Sequence, residues 1–331
     1  MTVQRLYPLS FDPIFQYRLW GGRRLGPWMR RALPGDGSIG EAWLLSDRSD
    51  FPSVVSNGPL KGKSLPQLMA RSKALIMGKL TDQFDRFPLL LKFLDVQDML
   101  SVQVHPPDDR GDLIPPGETG KTEAWIVLEA VAGARIFAGL KKGVTREDLA
   151  HLTKTSAPDV LSSFSPGVGQ AVVIPAGTAH SLGDGVMVFE VQENSDVTFR
   201  LFDWGHVDPV TGQPRDLQLQ QALSCIDFDQ GPVGPVPADI LQTSPTRRER
   251  VLDTRFFHVT RVTGDRPFDI GELDVPRVLV CVQGRGRIDF DGDAYALRQG
   301  GVTLLSACLD VCRFEPEGVA CLLDIAIPAA P

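Results

Sequence analysis

The chain has 331 residues, enough for two ordinary domains or one unusually large one, and its 43% hydrophobic and 23% charged residues are the composition of a water-soluble globular protein. A formal net charge of −7 argues against nucleic acid as a partner, while leaving small anionic ligands open, because a local basic pocket is enough to hold those. Five cysteines without framework spacing, no basic-then-apolar leader in MTVQRLYPLSFDP, and no run of about 20 apolar residues together predict a cytoplasmic protein with no membrane association. Cys308 and Cys312, the one close pair, read as part of a packed strand or turn.

With 32 glycines, 26 prolines and many short β-branched runs, the sequence reads as mostly β with frequent turns. Apolar spacing predicts a helix over 64–78, then strands over 87–95, 100–106, 122–130 and 134–140. A second helix is expected over 145–155, opened by Thr145 three residues before Asp148 as an N-cap. Strands follow over 170–175, 186–192 and 196–204, and a third helix over 215–226. The Pro-rich stretch 229–250 reads as a linker. Beyond it, short strands across 277–307, punctuated by Gly284, Gly286, Gly292, Gly300 and Gly301, predict a small barrel or jelly roll. GRGRIDFDG within that stretch lacks the full spacing of a nucleotide-binding loop and no helix follows it, so a hairpin is expected.

The segment LSVQVHPPDD, Leu100 to Asp109, alternates like a strand, yet sets an amide and an imidazole two residues apart on one face, opposite Val102 and Val104. Strand alternation likewise puts Lys121, Glu123 and Trp125 on one face, and VVIPAGTAHS brings a strand through a Pro-Gly turn to His180. Gln103, His105, Glu123 and His180 therefore offer two imidazoles, a carboxylate and an amide oxygen from β elements, a donor set that suits zinc and also iron, manganese or nickel. Taken singly, each has a plainer reading: a hydrogen-bonded histidine, a satisfied edge glutamine, or a surface glutamate paired with Lys121 or Lys142. His151, on an amphipathic helix, and His258, in the C-terminal half, are read as structural.

LLLKFLDVQDMLSVQVHPPD, GKTEAW, IPAGTAHSLGDG and QENSDVTFRLFDWG, with RLWGG and GEAWLLS nearer the start, resemble in order the short bacterial form of the type I mannose-6-phosphate isomerases. The likeness runs in register from about residue 6 to 225, and more loosely beyond. The resemblance implies a mainly β protein of two cupin-like jelly-roll β-barrels with small helical additions. Residues 1–228 would be the metal-binding catalytic domain, 229–250 the linker, and 251–331 a second cupin-like domain without a metal site. The implied reaction interconverts mannose 6-phosphate and fructose 6-phosphate, with one Zn2+ per chain and another divalent metal as the alternative. Gln103, His105, Glu123 and His180 would be the metal ligands, Lys92, Lys121 and Arg200 would bind the phosphosugar, and Arg200, Lys121 and Asp196 would be catalytic, the last two as candidates for the base.

Period two sets Asp196, Thr198 and Arg200 on one face, so the aspartate is expected to orient the arginine. The sequence departs from the family's pattern at His206, where a basic residue is frequent, and in the Pro- and Gly-rich loop 106–120, which lies between two ligand-bearing strands and bears on substrate access. Two rival readings keep the same ligands or lose turnover: a cupin isomerase acting on a related phosphosugar, and a sugar-phosphate-binding cupin without catalysis.

Overall fold

A computed structural model describes residues 6–329; the first residues of the segment read for a leader, and the outermost ends of the two expected domains, lie outside the described residues. The chain is mainly β, and its strands pair antiparallel. The first 202 residues form twelve strands: β1 (Leu9–Ser10), β2 (Ile14–Gln16), β3 (Glu41–Leu45), β4 (Leu89–Val96), β5 (Val102–Val104), β6 (Glu123–Ala130), β7 (Ile136–Leu140), β8 (Leu161–Phe164), β9 (Ala171–Ile174), β10 (His180–Leu182), β11 (Val186–Glu193) and β12 (Phe199–Phe202). Eleven of them make two sheets, a six-stranded one in the order β2-β3-β4-β11-β6-β9 and a five-stranded one in the order β12-β5-β10-β7-β8.

Period two explains how these sheets face each other. In β4, Leu89, Leu91 and Phe93 point to one side, where they join Ala124 and Ile126 of β6 and Met187, Phe189 and Val191 of β11 in the largest core. Leu94 and Val96 point the other way with Trp125, Val127, Val186 and Val188, and meet Ile136, Ala138 and Leu182 of the five-stranded sheet. The ladders stay open, so the cupin-like unit is a two-sheet jelly roll and not a closed hydrogen-bonded barrel. Because both faces of the six-stranded sheet are covered, every charged residue on its two middle strands, β4 and β11, is buried and must find a partner.

Seven strands form a second large sheet, in the order Leu9–Ser10, Val302–Leu305, Arg277–Gln283, Ala320–Ala326, His258–Gly264, Arg247–Asp253 and Asp239–Gln242, beside a four-stranded one. β1 is thus paired with the C-terminal half, Leu9 opposite Leu304, and the largest core runs continuously from Phe93 and Phe189 to Val278, Leu304 and Phe314. GRGRIDFDG is part of a hairpin, Arg285–Phe290 against Asp293–Arg298, as expected. Residues 229–250, expected as a linker, lie along both halves. Val236 bridges Ala171, Pro232 bridges Gly139, and Asp239–Gln242 is an edge strand, the place in a sheet that tolerates neighbouring prolines. Gly139 is glycine for this reason, since a Cβ there would sit 2.0 Å from the Gly231 carbonyl oxygen.

The helix expected over 64–78 is Leu65–Met77, opened by a Ser64/Gln67 capping box. Thr145 and Asp148 form the expected cap, but that helix is only Arg146–Ala150, with a separate turn at Ala157–Val160. The helix of 215–226 shrinks to Leu219–Cys225, because Arg215 is drawn away to Asp203 and the segment before Leu219 is extended. The short helix Leu25–Met29, at the RLWGG segment, carries too few turns to show a period. Among the described residues, no helix is long and apolar enough to cross a membrane.

Phe189 is fully buried, edge-on to Phe93 at 5.9 Å between ring centroids, where the six-stranded sheet meets the rest of the core. Phe189→Ala is expected to cost about 3–5 kcal/mol in denaturant unfolding. A loss below about 1 kcal/mol would contradict a core packed through this ring.

Candidate metal centre

β5 lies between β12 and β10, in a register that sets Arg200 opposite Gln103 and Gln103 opposite His180. Val102, Val104, Phe199 and Leu201 fill a core on the outer face, so one cross-strand row carries Arg200, Gln103 and His180 toward the six-stranded sheet. His105 follows one residue past β5 on the same face. Its carbonyl accepts the Gly177 N–H at 2.8 Å, and Gly177 sits at φ +88°, a conformation that glycine adopts without strain. That bond ties the Pro175–Thr178 turn to His105 and delivers His180 beside it.

Glu123 projects into the gap from the facing sheet. His105 Nε2 lies 3.3 Å from Glu123 Oε2, and His180 Nε2 lies 3.4 Å from Oε1. The ligand atoms of His105, Glu123 and His180 all fall within 4.8 Å of one another, and all three residues are buried. His105 Nδ1 is 2.8 Å from the Val197 carbonyl oxygen, and His180 Nδ1 is 2.9 Å from that of Thr178. Each ring therefore donates through Nδ1–H and keeps its Nε2 lone pair for the gap. Gln103 approaches from beside them, its amide nitrogen 3.2 Å from His180 Nε2 and its oxygen accepting from Ser101. Half a turn of that amide presents the oxygen to the same point.

The electrostatics suit cation binding. Burial, and then the Lys121 charge, bring His105 down to about 3; burial also lowers His180. Both rings are neutral near pH 7, the form that binds metal. Burial works against ionising Glu123, yet Lys121 and His105 hold its carboxyl well below the usual carboxylate range. Lys121 Nζ is 2.8 Å from Glu123 Oε2 and 3.1 Å from His105 Nε2, so Glu123 is not a surface charge, and its partner is Lys121.

A second row faces the first across the gap: Trp43, Lys92, Glu190 and Trp125, in register on β3, β4, β11 and β6. Lys92 Nζ lies 3.2 Å from Glu190 Oε1 and 5.2 Å from the Trp43 ring centroid, and Trp125 Nε1 donates to Glu190 Oε2 at 3.0 Å. Trp43 Nε1 and both arms of Arg18 donate to Glu41. Burial opposes charge on Lys92 and Glu41 alike. Glu190 and Glu41 nevertheless hold Lys92 above the ordinary lysine value, and Arg18 and Lys92 bring Glu41 down to about 2. Burial pushes Glu190 up while Lys92 pulls it down, and the Lys92 ammonium is the fixed charge of that pair.

A cleft of about 450 Å³ opens above these rows, lined by Lys92, Gln103, Lys121, Asp196, Thr198 and Arg200, among others. The structure thus brings together the eight residues that the resemblance assigned to a site, with His105, Glu123 and His180 at the base and Lys92, Gln103, Lys121, Asp196 and Arg200 along the walls. One expectation is corrected. Asp196 forms no ion pair with Arg200; Arg200 Nη1 donates to the Asp216 carbonyl at 2.9 Å, because β12 begins only at Phe199 and Asp196 lies outside its alternation. His206 stands 3.4 Å from Asp98 and 3.6 Å from Asp203. His151 and His258 are surface residues, the latter 3.0 Å from Asp253. The loop 106–120 is tied down by Arg48 to Glu118 through both guanidinium arms, and by Arg86 to the Gly117 carbonyl.

Glu190, Glu41 and Arg18 were not singled out in the sequence. A charge at an inward position of VMVFEVQ, between Val188 and Gln192, was the signal for Glu190, since burial on both faces leaves such a residue no solvent.

An open jelly roll with a buried imidazole–carboxylate cluster under a cation-lined cleft is the architecture of a metal-binding cupin enzyme. A family model described as the phosphomannose isomerase type I catalytic domain matches residues 9–124, which include Gln103, His105 and Glu123. The chain is 31% identical to a mannose-6-phosphate isomerase of Bacillus subtilis over 95% of its length and 96% of the relative's, and 32% identical to one of Streptococcus mutans over 94% and 96%. The crystal structure of a mannose 6-phosphate isomerase from Bacillus subtilis superposes with a TM-score of 0.88 at 26% identity, covering 97% of this chain and all of that one. A phosphomannose isomerase from Salmonella typhimurium shares the fold, with a TM-score of 0.80 at 15% identity over 97% of this chain and all of its own. The chain belongs to the type I mannose-6-phosphate isomerase family.

Glu193, one turn of the pleat beyond the row, accepts the Thr122 N–H at 2.7 Å and so steadies the start of β6. Burial pushes its carboxyl up to about 7. The folded state therefore holds the proton more tightly than the unfolded chain, and this group's contribution to stability falls as pH rises from about 4.5 through 7. Glu193→Gln keeps the acceptor and removes the charge. The variant is expected to gain on the parent between pH 5 and pH 8, by on the order of 1–3 kcal/mol in denaturant unfolding. Parallel stability curves would mean that Glu193 ionises at its usual value.

Proposed function

We propose that the protein is a metal-dependent aldose–ketose isomerase that interconverts mannose 6-phosphate and fructose 6-phosphate, with Zn2+ held by Gln103, His105, Glu123 and His180. The observation that carries this reading is the convergence of three buried ligand residues at the base of a cation-lined cleft, in a chain of this family. The residues fit a metal: Glu123 Oε1 is buried without a hydrogen-bond donor, Oε2 has the Lys121 ammonium beside it, and both Nε2 lone pairs are aimed at the carboxylate. Neutral imidazole with carboxylate and amide oxygen is a zinc-type donor set.

A cation bound there supplies Lewis-acid stabilisation of the charge that develops on the sugar oxygens. The rest falls to the chain. Asp196, a carboxylate on the cleft wall, accepts the C2 proton of the open-chain aldose and returns it to C1, while the hydroxyl proton passes from O2 to O1. Lys121, already a donor toward Glu123 and His105, turns its remaining N–H toward the substrate oxygens. Lys92, fixed by Glu190 and Glu41, donates to the sugar from the opposite wall, and Arg200 binds the phosphate. Catalysis is assigned to residues 1–228 and a packing role to 251–331, with 229–250 between them. In support, the imidazole–carboxylate cluster lies wholly in the first part. Cys225, Cys281, Cys312 and Cys321, buried and outside any disulfide, fit a cytoplasmic setting.

Protein stripped with a chelator is expected to lose isomerase activity in a coupled mannose 6-phosphate assay and to regain it with zinc. His105→Ala and Glu123→Ala should bind no metal in elemental analysis while keeping the parent's circular dichroism. Activity in a metal-free variant would sink the site. Asp196→Asn is expected to retain metal and lose roughly 100-fold or more in kcat; a loss below threefold would remove Asp196 as the base.

A further inference from the structure

Five cationic side chains line the cleft, and four of them are already matched to carboxylates: Arg18 to Glu41, Lys92 to Glu190, Lys121 to Glu123, and Arg215 to Asp203. Arg200 is the exception. Among the described residues, its one side-chain hydrogen bond runs from Nη1 to the Asp216 carbonyl, and its Nε is buried with no partner. A buried guanidinium N–H left unpaired costs free energy, unless an acceptor arrives from outside.

Arg215 stands beside it. Burial, and next the charge of Arg215, lower the pKa of Arg200, so the two guanidinium groups repel in the absence of an anion. Arg215 spends one edge on Asp203, with Nε donating to Oδ2 at 2.8 Å and Nη2 to Oδ1, which leaves its Nη1 edge unused. Asp203 is buried and also faces His206. Two further acids stand at this end: Asp208, taken up by the Val210 N–H and the Tyr17 hydroxyl, and Asp216, whose charge acts on Arg200 less than that of Arg215 does.

We infer that Arg215, oriented by Asp203, joins Arg200 as the receptor for the substrate's dianionic phosphate and so sets the direction in which the sugar lies in the cleft. This rests on the isomerase reading above and deepens it. Arg200 is two strands from His180 along one cross-strand row, or about 10 Å at the usual strand spacing. An open-chain hexose 6-phosphate spans seven bonds from C1 to phosphorus, about 8 Å when extended, on the per-bond reach of an extended chain. With its phosphate on the two arginines, the sugar runs along the row over Gln103, and C1 and C2 reach the imidazoles and Glu123. Two guanidinium groups with donors free for an oxyanion favour a phosphorylated sugar over a neutral one.

The test uses metal-loaded protein and two readouts, calorimetric titration with inorganic phosphate and steady-state kinetics with mannose 6-phosphate. Arg215→Met is expected to weaken phosphate binding and to raise KM roughly 10- to 100-fold, with a much smaller change in kcat. Arg215→Lys should recover part of both, and Asp203→Asn should lose part of both with metal content unchanged. If phosphate affinity and KM stay at the parent's values in a folded, metal-loaded Arg215→Met, the inference is overturned. A fall in kcat alone would overturn it too, and make Arg215 merely structural. If the parent binds phosphate and loses it on Arg215→Met but turns over no mannose 6-phosphate, the anion receptor stands and the isomerase reading falls.

Discussion

The burial of Glu123 between two sheets constrains everything around it. A lone carboxylate in that position would be too costly to ionise, and would take up a proton or unfold the strand. The chain supplies one ammonium, Lys121 at 2.8 Å, and two imidazoles held neutral by burial. One cation offsets one charge, yet Glu123 Oε1 lacks a hydrogen-bond donor, and two Nε2 lone pairs point at the same place. Such a concentration of acceptors is a poor way to stabilise a fold and a good way to hold a second cation.

The two facing rows extend this logic. On the five-stranded sheet, Arg200, Gln103 and His180 lie side by side; on the six-stranded sheet, so do Trp43, Lys92, Glu190 and Trp125. Trp125 packs edge-on to the His180 ring at 5.5 Å and closes the gap between the rows at the base. Charges alternate along the second row, each held by a neighbour in register, so Lys92 and Glu190 have little freedom to reorganise. That rigidity is what electrostatic stabilisation in an enzyme site requires. The mouth is built differently. Arg200 and Arg215 are held by one loop carbonyl and one aspartate, and they face solvent with unused donors.

Much of this was legible from alternation alone. Gln103 and His105 had to share a face, as did Lys121, Glu123 and Trp125, because a strand leaves no other choice, and the Pro-Gly turn before His180 marked where a third element would enter. Sequence spacing carries no information about which strand pairs with which, so the convergence of His105, Glu123 and His180 from two sheets was not visible without the resemblance. The partnership expected between Asp196 and Arg200 failed because alternation was extended three residues past the true start of β12. Short helices such as Leu25–Met29 span too few turns for a period, and the Pro-rich stretch 229–250 hid an edge strand, Asp239–Gln242, flanked by Pro237 and Pro245.

The loop 106–120 shows how composition can mislead about motion. Its prolines and glycines suggest a lid, yet Arg48 grips Glu118 through both arms, Arg86 holds the Gly117 carbonyl, and the Ser195 hydroxyl donates to the carbonyl of Thr119. Ser195 precedes Asp196, and Gly120 precedes Lys121, so these anchors fix the backbone beside both residues proposed to handle protons. A loop that swung open would carry Lys121 away from Glu123 and leave the buried carboxylate uncompensated. The cost of that exposure makes anchoring the stable arrangement, and it confines any opening for substrate to the mouth, where the residues contact solvent.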